Sequence, residues 1–294
     1  MKCGTARSSL IGLLILLVSL SACSSSRADQ TPEIFDGQQA YVLIEKQLEF
    51  GPRIPGTDAH KAAGDWILRQ LQENGWETSE QNFAVDEIVG RNLIAKSAKN
   101  ASALIILGAH YDTRAFADRD IDQPLDPVPG ANDGGSGTAV LLELSRILRP
   151  ENFNFELWLV FFDAEDGGGL ENRNWILGST HFAAILTRRP QAVIIVDMVG
   201  DSDLNIYYER NSDNVLREEI WRIAQENGFS SFISTPKYAM LDDHTPFLRL
   251  GIPAVDIIDF DYAYWHTVAD TIEQVSAESL QQVGRTLEIW IRER

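Results

Sequence analysis

Three carboxylates follow directly on one apolar run of this chain. Residues 157–162 read LWLVFF, and Asp163, Glu165 and Asp166 come within the next four positions. An apolar run of that length is typical of a strand buried on both faces of a parallel sheet. Acids so close together repel one another unless a cation or a shared proton holds them. We therefore interpret this stretch as an element that binds a metal and transfers protons.

Other histidine and aspartate side chains, which commonly bind metal ions, follow predicted strands or lie in loops. Ligands of open α/β sheets bind outside the carboxyl ends of the strands, so we expect these side chains to converge there. Histidine and carboxylate ligands without cysteine fit zinc with an open coordination position, or a related divalent ion. Each short motif alone occurs often by chance, and the specificity lies in the order of five. In chain order the candidates are His110, Asp133, Asp166, Asp197 and His266.

Alternating apolar patterns predict the elements that position these residues. Strands that alternate with helices imply an α/β fold: a single domain over residues 36–294, with a mostly parallel mixed central sheet and helices on both faces. Helices are expected over 36–50, 57–74, 133–148, 179–186, 213–227 and 276–291, with a helical turn over 246–250. Strands are expected over 76–85, 91–96, 103–107, 157–162, 192–199, 204–208 and 253–258.

The N-terminal segment is predicted to be a targeting sequence. Lys2 and Arg7 precede an apolar stretch over 10–20, and small residues then lead to Cys23. This pattern predicts a signal peptide over 1–22 and a tether over 23–35 that begins at a lipidated Cys23. An ordinary signal peptide with an incidental cysteine is the alternative. We expect an exported, membrane-anchored bacterial lipoprotein on the periplasmic or extracellular face, with no disulfide because Cys3 lies in the leader.

The charge balance excludes one class of partner. The formal net charge is −18 at pH 7. A protein that binds nucleic acid neutralises phosphates with basic residues, and nothing in this composition would do so.

The ordered ligand set resembles the family that joins zinc aminopeptidases with animal-type and bacterial glutaminyl cyclases. The resemblance covers about residues 36–291. It implies that the aminopeptidases' two-zinc ligands correspond to the five candidates above, and that Glu165, just before the third of them, is the general base. Asp166 stands where a glutamate is commoner in this family.

Three features resemble the cyclases more than the peptidases. Trp265 stands directly before His266, where the cyclases have a tryptophan that floors the pocket. The LDDHTPF stretch over 241–247 places Asp242 in the cyclases' paired aspartates. The FFD stretch over 161–163 and the GPRIPG turn over 51–56 are also cyclase-like. Asp256 departs from the pattern, because animal cyclases carry a histidine there.

The resemblance implies an activity and its residues. The substrate would be the N-terminal glutamine of peptides or proteins, cyclised to pyroglutamate with release of ammonia. One catalytic zinc would bind Asp133, Asp166 and His266, and a second site at His110 and Asp197 stays open. Glu165 would transfer the proton, Asp242 and Asp197 would hold the hydrogen-bond network around it, and Trp265 would pack against the substrate. The alternatives are a zinc aminopeptidase that uses metal-activated water and an inactive, surface-anchored binding protein.

Some residues receive a simpler interpretation. His60 and His181 are expected to be surface or satisfied residues, and His244 is expected either to support the structure or to lie behind the site. The alternating acids of residues 118–122 could suggest calcium, but the loop lacks the glycine and distal glutamate of an EF-hand, which favours a solvated face. Asp133 could also be only a helix N-cap.

Overall fold

The central sheet of the computed structural model combines parallel and antiparallel strands. The described residues are 1–4, 33–97, 101–148 and 153–294, and they contain the following elements. The strands are β1 Glu77–Val85, β2 Ile88–Lys96, β3 Leu104–His110, β4 Glu156–Phe162, β5 Ala192–Asp197, β6 Ile206–Tyr208, β7 Phe232–Pro236 and β8 Ala254–Ile258. The helices are α1 Gly37–Leu48, α2 Asp58–Glu73, α3 Gly135–Ile147, α4 Leu177–Ala184, α5 Asn214–Glu226, α6 Thr245–Arg249 and α7 Ala277–Arg292.

The larger sheet has the spatial order β1-β2-β4-β3-β5-β8. β2 pairs antiparallel with both β1 and β4, whereas β4, β3, β5 and β8 run parallel to one another. β6 and β7 form a separate parallel pair. The predicted α/β class with a mixed, mostly parallel central sheet is confirmed. β7 was not predicted from the sequence, because its five residues have only their first side chain buried.

Helices cover both faces of the sheet, as predicted. Every residue of β3 and β4 is buried. Alternate residues of a strand point to opposite faces of the sheet. The side chains of β4 therefore pack in two separate apolar clusters. Leu157, Leu159 and Phe161 pack in the larger cluster with residues of α1, α2, α3, α5 and α7. Trp158, Val160 and Phe162 pack in the smaller cluster with Phe182 and Phe247.

The parallel register brings the ends of the central strands to one level. His110, the last residue of β3, lies opposite Phe162, the last residue of β4. Asp197 ends β5 opposite Ile258, which ends β8. The residues that follow these strands therefore meet at one edge of the sheet.

Side-chain caps explain where several helices begin. Asp36, Thr57, Asp213 and Ser276 each accept a hydrogen bond from a backbone N–H of the first helical turn. Helix α3 differs, because Gly134 precedes it at φ +75° with no side-chain cap. A Cβ at Gly134 would lie 2.3 Å from the carbonyl oxygen of Asp112, so glycine fits this passage. Asp133 is therefore not the N-cap of α3, and its carboxylate is free for other contacts.

The targeting prediction lies outside the described part of the chain. Residues 5–32, which include Cys23, are not described. Among the residues that are, no helix combines the length and the apolar character needed to cross a membrane.

Candidate active site

A first cluster of potential ligands is formed by Asp133, Asp166 and His266. All three are buried, and one ligand atom of each lies within 4.8 Å of the others. Nε2 of His266 is 3.1 Å from Oδ1 of Asp166 and 3.9 Å from Oδ2 of Asp133. Neither this nitrogen nor Oδ2 of Asp166 has a hydrogen-bond partner among the described residues. Buried lone pairs that face one another unpaired are suited to a shared cation, so this donor set fits a divalent metal.

A second cluster shares one member with the first. Nε2 of His110 lies 3.1 Å from Oδ1 of Asp133 and 3.1 Å from Oδ1 of Asp197. Asp133 therefore turns one oxygen to His110 and the other to His266, between the two clusters. The structure thus brings all five predicted ligands together, in two groups of three that meet at Asp133.

Burial dominates the electrostatics of these acids. It raises the pKa of Asp166 to about 6, with Asp133 adding to the effect and His266 opposing it. Burial also raises the pKa of Asp197 to about 7 against the influence of His110. For Asp133, burial works in the same direction, but contacts with His110 bring its pKa below the usual value. A bound cation would add the positive charge that favours ionised carboxylates here.

Glu165 is a buried acid that shares a cavity wall with Asp133, Asp166 and Asp197 of these clusters. Burial raises its pKa well above the usual range; His110 opposes this, and Asp242 and Asp166 add to it. A carboxyl group whose pKa moves toward neutrality is suited to take up and release a proton.

The turn that carries Glu165 is held by two other acids. The side chain of Asp112 accepts hydrogen bonds from the backbone N–H groups of Glu165 and Asp166, both at 3.2 Å. Ala164 has φ +54°, which turns the chain sharply after β4. Asp163 accepts a hydrogen bond from the N–H of Ala164 at 2.7 Å.

Asp163 holds the end of strand β4 in place. Nε2 of His60 lies 2.8 Å from its Oδ1, and the N–H of Arg91 and the hydroxyl of Tyr111 donate to its Oδ2 at 2.6 and 3.2 Å. The His60 ring stacks on Tyr111 with centroids 4.8 Å apart. Asp163 therefore supports the structure, and His60 is a satisfied residue as expected. His181 stacks on Phe83.

A cavity of about 200 Å³ opens beside the two clusters. Trp265 lies on His266 with ring centroids 3.8 Å apart, and Phe260 packs against Trp265 at 4.8 Å. Trp175 stacks on His266 at 5.9 Å with an interplanar angle of 12°. The lining residues are Asp133, Glu165, Asp166, Trp175, Asp197, Met198, Met240, Leu241, Asp242, Ile258, Phe260, Trp265 and His266.

Sequence reasoning missed several of these lining residues. Trp175, Met198, Met240 and Phe260 lie outside the motifs that were singled out. Trp175 reaches the cavity from a turn-rich stretch after β4, where no periodicity fixes the direction of a side chain. The only available signal was an aromatic residue in the glycine-rich stretch that follows β4 and its three acids.

A buried polar group lies behind Asp242. His244 lies between two carboxylates, with Nε2 3.4 Å from Glu209 and Nδ1 3.6 Å from Asp256. Burial raises the pKa of Asp256 well above its usual value, and Asp242 and Glu209 add to this. Glu209 had no sequence signal, because it follows a three-residue strand. Asp256, which stands where animal cyclases have a histidine, thus lies next to His244.

The solvated face predicted for residues 118–122 is only partly correct. Asp122 is exposed as expected. Asp118 is exposed too, although it also pairs with the buried Arg114, whose Nε and Nη2 donate to it at 2.7 and 3.0 Å. Asp120 is only partly exposed, and it accepts hydrogen bonds from backbone N–H groups, including that of Val268 at 3.2 Å.

Comparisons with known proteins agree with the fold. The chain is 28% identical over 272 residues to aminopeptidase YwaD of Bacillus subtilis, with 84% of this chain covered and 55% of the relative. It thus spans about half the length of that relative. The Porphyromonas gingivalis glutaminyl cyclase superposes with a TM-score of 0.84 at 33% identity, covering 89% of this chain and 99% of that structure.

A peptidase structure superposes equally well. A Zn-dependent exopeptidase from Parabacteroides distasonis also gives a TM-score of 0.84, at 31% identity, covering 90% of this chain and all of that structure. Both activities are therefore represented among proteins similar to this one. Residues 92–290 match Peptidase family M28. This match, together with the fold, shows that the chain is an enzyme of peptidase family M28.

Proposed function

We propose that this enzyme is a zinc-dependent glutaminyl cyclase, which converts the N-terminal glutamine of peptides and proteins to pyroglutamate and releases ammonia. The observation that carries the proposal is the small cavity of about 200 Å³ that is lined by Trp265, Glu165 and Asp242. Ligand pockets usually measure roughly 300–1,000 Å³. A cavity of this size suits one short side chain closing into a five-membered ring. The similar bacterial glutaminyl cyclase supports the same conclusion.

Asp133, Asp166 and His266 would hold the catalytic zinc, since one ligand atom of each lies within 4.8 Å of the others. Among the described residues, Oδ2 of Asp166 and Nε2 of His266 also have no hydrogen-bond partner. When bound, zinc supplies Lewis-acid polarisation of an amide oxygen. One catalytic ion is proposed, and His110 and Asp197 would complete a second site with Asp133.

Glu165 would carry the proton in the cyclisation. The substrate's α-amino nitrogen attacks the carbonyl carbon of its own side-chain amide, and Glu165 accepts a proton from that nitrogen. Glu165 then delivers the proton to the amide nitrogen as its bond to carbon breaks, and ammonia leaves. Asp242 and Asp197 would hold the hydrogen-bond network beside this carboxyl group.

The apolar lining would favour ring closure over hydrolysis. Trp175, Phe260 and Ile258 surround the space beside Glu165. Since the amine of the substrate is the nucleophile, the reaction needs no water, and apolar side chains that displace water from the bound substrate suit it.

The second candidate function is a metallo-aminopeptidase. It is favoured by the complete second cluster, in which His110 lies 3.1 Å from both Asp133 and Asp197. In that reaction Glu165 would activate a water molecule, and the peptide bond would be cleaved.

One assay separates the two functions. The purified protein is offered a glutaminyl-peptide and a leucyl-peptide, each with and without exhaustive chelation. Ammonia release from the glutaminyl-peptide, with the leucyl-peptide left intact, supports cyclisation. Cleavage of the leucyl-peptide without ammonia release from the first would contradict it. Activity that survives full removal of metal would overturn the zinc assignment.

The number of ions is tested by metal analysis. One zinc per active chain is expected, with its loss abolishing ammonia release and its return restoring it. Two zinc ions per chain, both needed for turnover, would favour the peptidase arrangement.

We also propose that the enzyme is an exported lipoprotein anchored through Cys23, on the strength of its leader pattern. Cells expressing the full chain with a radiolabelled fatty acid should yield labelled wild-type protein in the membrane fraction. Cys23→Ser should remove the label. Label that persists in the variant would contradict this assignment.

A further inference from the structure

Arg114 is a buried cation that touches one of the candidate metal ligands. Its side chain is 2% exposed. Nη1 donates to the carboxylate of Asp166 at 3.2 Å and to the Asp166 carbonyl oxygen at 3.1 Å, and Nη2 donates to the carbonyl oxygen of Gly168 at 3.2 Å. The guanidinium also lies 5.0 Å from the ring centroid of Trp175.

The remaining N–H donors of Arg114 form a bidentate pair with Asp118. Nε and Nη2 donate to its two carboxylate oxygens at 2.7 and 3.0 Å. A bidentate pair of this kind fixes the direction of the carboxylate as well as its position. An ordinary surface ion pair would leave both groups mobile in water. Here the Asp118 side chain is 42% exposed, but its guanidinium partner is buried and fixed by three further hydrogen bonds.

The carboxylate of Asp118 reaches the far side of a second ligand. Its Oδ1 lies 3.4 Å from Nδ1 of His266, while Nε2 of the same ring faces Asp166 at 3.1 Å. A carboxylate at Nδ1 favours the tautomer with the proton on that nitrogen, which leaves the Nε2 lone pair directed at the cluster.

The backbone of His266 requires support from its surroundings. It has φ +58°, a left-handed conformation that is unfavourable for a residue with a side chain. The two residues that follow Asp118 contact this segment. The N–H of Arg119 donates to the His266 carbonyl oxygen at 3.2 Å, and its guanidinium lies 4.1 Å from the Trp265 ring centroid. Asp120 accepts a hydrogen bond from the N–H of Val268.

We propose that Arg114 and Asp118 are positioning residues for the metal centre: Asp118 aims the imidazole of His266, and Arg114 fixes Asp118 and Asp166 relative to each other. The inference rests on the metal proposed at the first cluster and does not depend on which reaction follows. Outer partners that orient a ligating histidine strengthen metal binding, and losing one costs roughly 10- to 100-fold in affinity.

The decisive variant is Asp118→Asn, which keeps the size of the side chain and removes its charge. The matched control is Asp122→Asn, an exposed acid on the same loop. Zinc affinity is measured on the full chain by competition with a chromogenic chelator, and the unfolding temperature is measured on the metal-free proteins. We expect zinc affinity to fall roughly 10- to 100-fold in Asp118→Asn and to stay at the wild-type value in Asp122→Asn.

Two further readouts separate positioning from general support. Cobalt in place of zinc reports ligand geometry through its absorption bands, which should shift in Asp118→Asn and not in the control. Asp118→Glu keeps a carboxylate and should recover part of the zinc affinity. Arg114→Lys keeps the charge but lacks the planar fork, so it should weaken zinc binding in the same direction.

The outcomes are distinct. Unchanged zinc affinity and unchanged cobalt bands in Asp118→Asn would overturn the proposal. Weaker zinc binding that comes with an equally large loss of stability in the metal-free variant would also overturn it, in favour of a purely structural role. Failure of the glutaminyl-peptide assay leaves these measurements valid, because they report metal binding and not turnover.

Discussion

The indole ring of Trp265 lies against the imidazole ring of His266, with centroids 3.8 Å apart and planes inclined by 33°. The two residues are adjacent in the chain, and the left-handed backbone of His266 accompanies this arrangement. Both side chains line the cavity. Trp265, which we propose to contact the substrate, therefore packs directly against His266, a candidate metal ligand.

Trp265→Ala should weaken substrate binding more than it slows the chemical step. Trp265 would contact the substrate side chain equally in the ground state and in the transition state. Its loss should therefore raise KM about tenfold, equivalent to about 1.4 kcal/mol. Trp265→Phe keeps an aromatic face, so its KM should lie between those of Trp265→Ala and the wild type. Steady-state ammonia release measures both constants, and an unchanged KM in Trp265→Ala would remove this residue from the substrate site.

Glu165→Gln should abolish most turnover and leave the metal in place. A glutamine cannot accept the substrate's proton, so kcat should fall by roughly 10²- to 10⁴-fold. The control is Glu171→Gln, an exposed acid on the following loop. Zinc content per chain is measured alongside. A Glu165→Gln enzyme that retains full kcat would refute the assignment of Glu165 as proton carrier.

Asp163→Asn should destabilise the protein without entering the chemistry. Asp163 accepts hydrogen bonds from the N–H groups of Ala164 and Arg91 and from the hydroxyl of Tyr111, and it pairs with His60. An amide nitrogen would face donors that it cannot accept from, so the free energy of unfolding should fall by about 3 kcal/mol.

Urea unfolding of the metal-free protein measures this loss. The exposed Asp58→Asn in the first turn of α2 is the comparison, and it should cost under about 1 kcal/mol. Equal stability of the two variants would show that the Asp163 contacts contribute little.

Asp259 should make stability depend on pH. Burial raises its pKa to about 7, against the hydrogen bonds it accepts from the backbone N–H groups of Asn205 and Asp261. The folded state then binds a proton that the unfolded chain has released above its ordinary carboxyl pKa of about 4. Stability from this group is therefore complete below pH 4 and declines as pH rises through 7.

Asp259→Asn removes this titration. Between pH 5 and 7, its unfolding free energy should fall less steeply than that of the wild type, by up to about 1.4 kcal/mol per pH unit. Urea unfolding of metal-free protein across this range measures the slope, with the exposed Asp203→Asn as control. Parallel slopes in all three proteins would contradict the prediction.

The sequence was sufficient for the fold class and for bringing the candidate ligands together. Apolar runs fix buried strands, and parallel strands place their carboxyl ends at one edge, so His110, Asp166 and Asp197 had to approach one another. The resemblance to the family then assigned different proposed roles to Glu165 and Asp166. Asp163 could be recognised as structural only by comparison with these two.

The tertiary structure alone decided which side chains complete the site. Trp175 and Arg114 lie in long, turn-rich segments, where no periodicity determines the direction of a side chain. Asp118 and His266 are far apart in the chain, and their contact depends on how two loops pack at the edge of the sheet. Local pattern determines elements and their ends, whereas contacts between loops depend on the whole packed fold. For this reason the sequence identified the candidate ligands, and only the folded chain showed which side chains contact them.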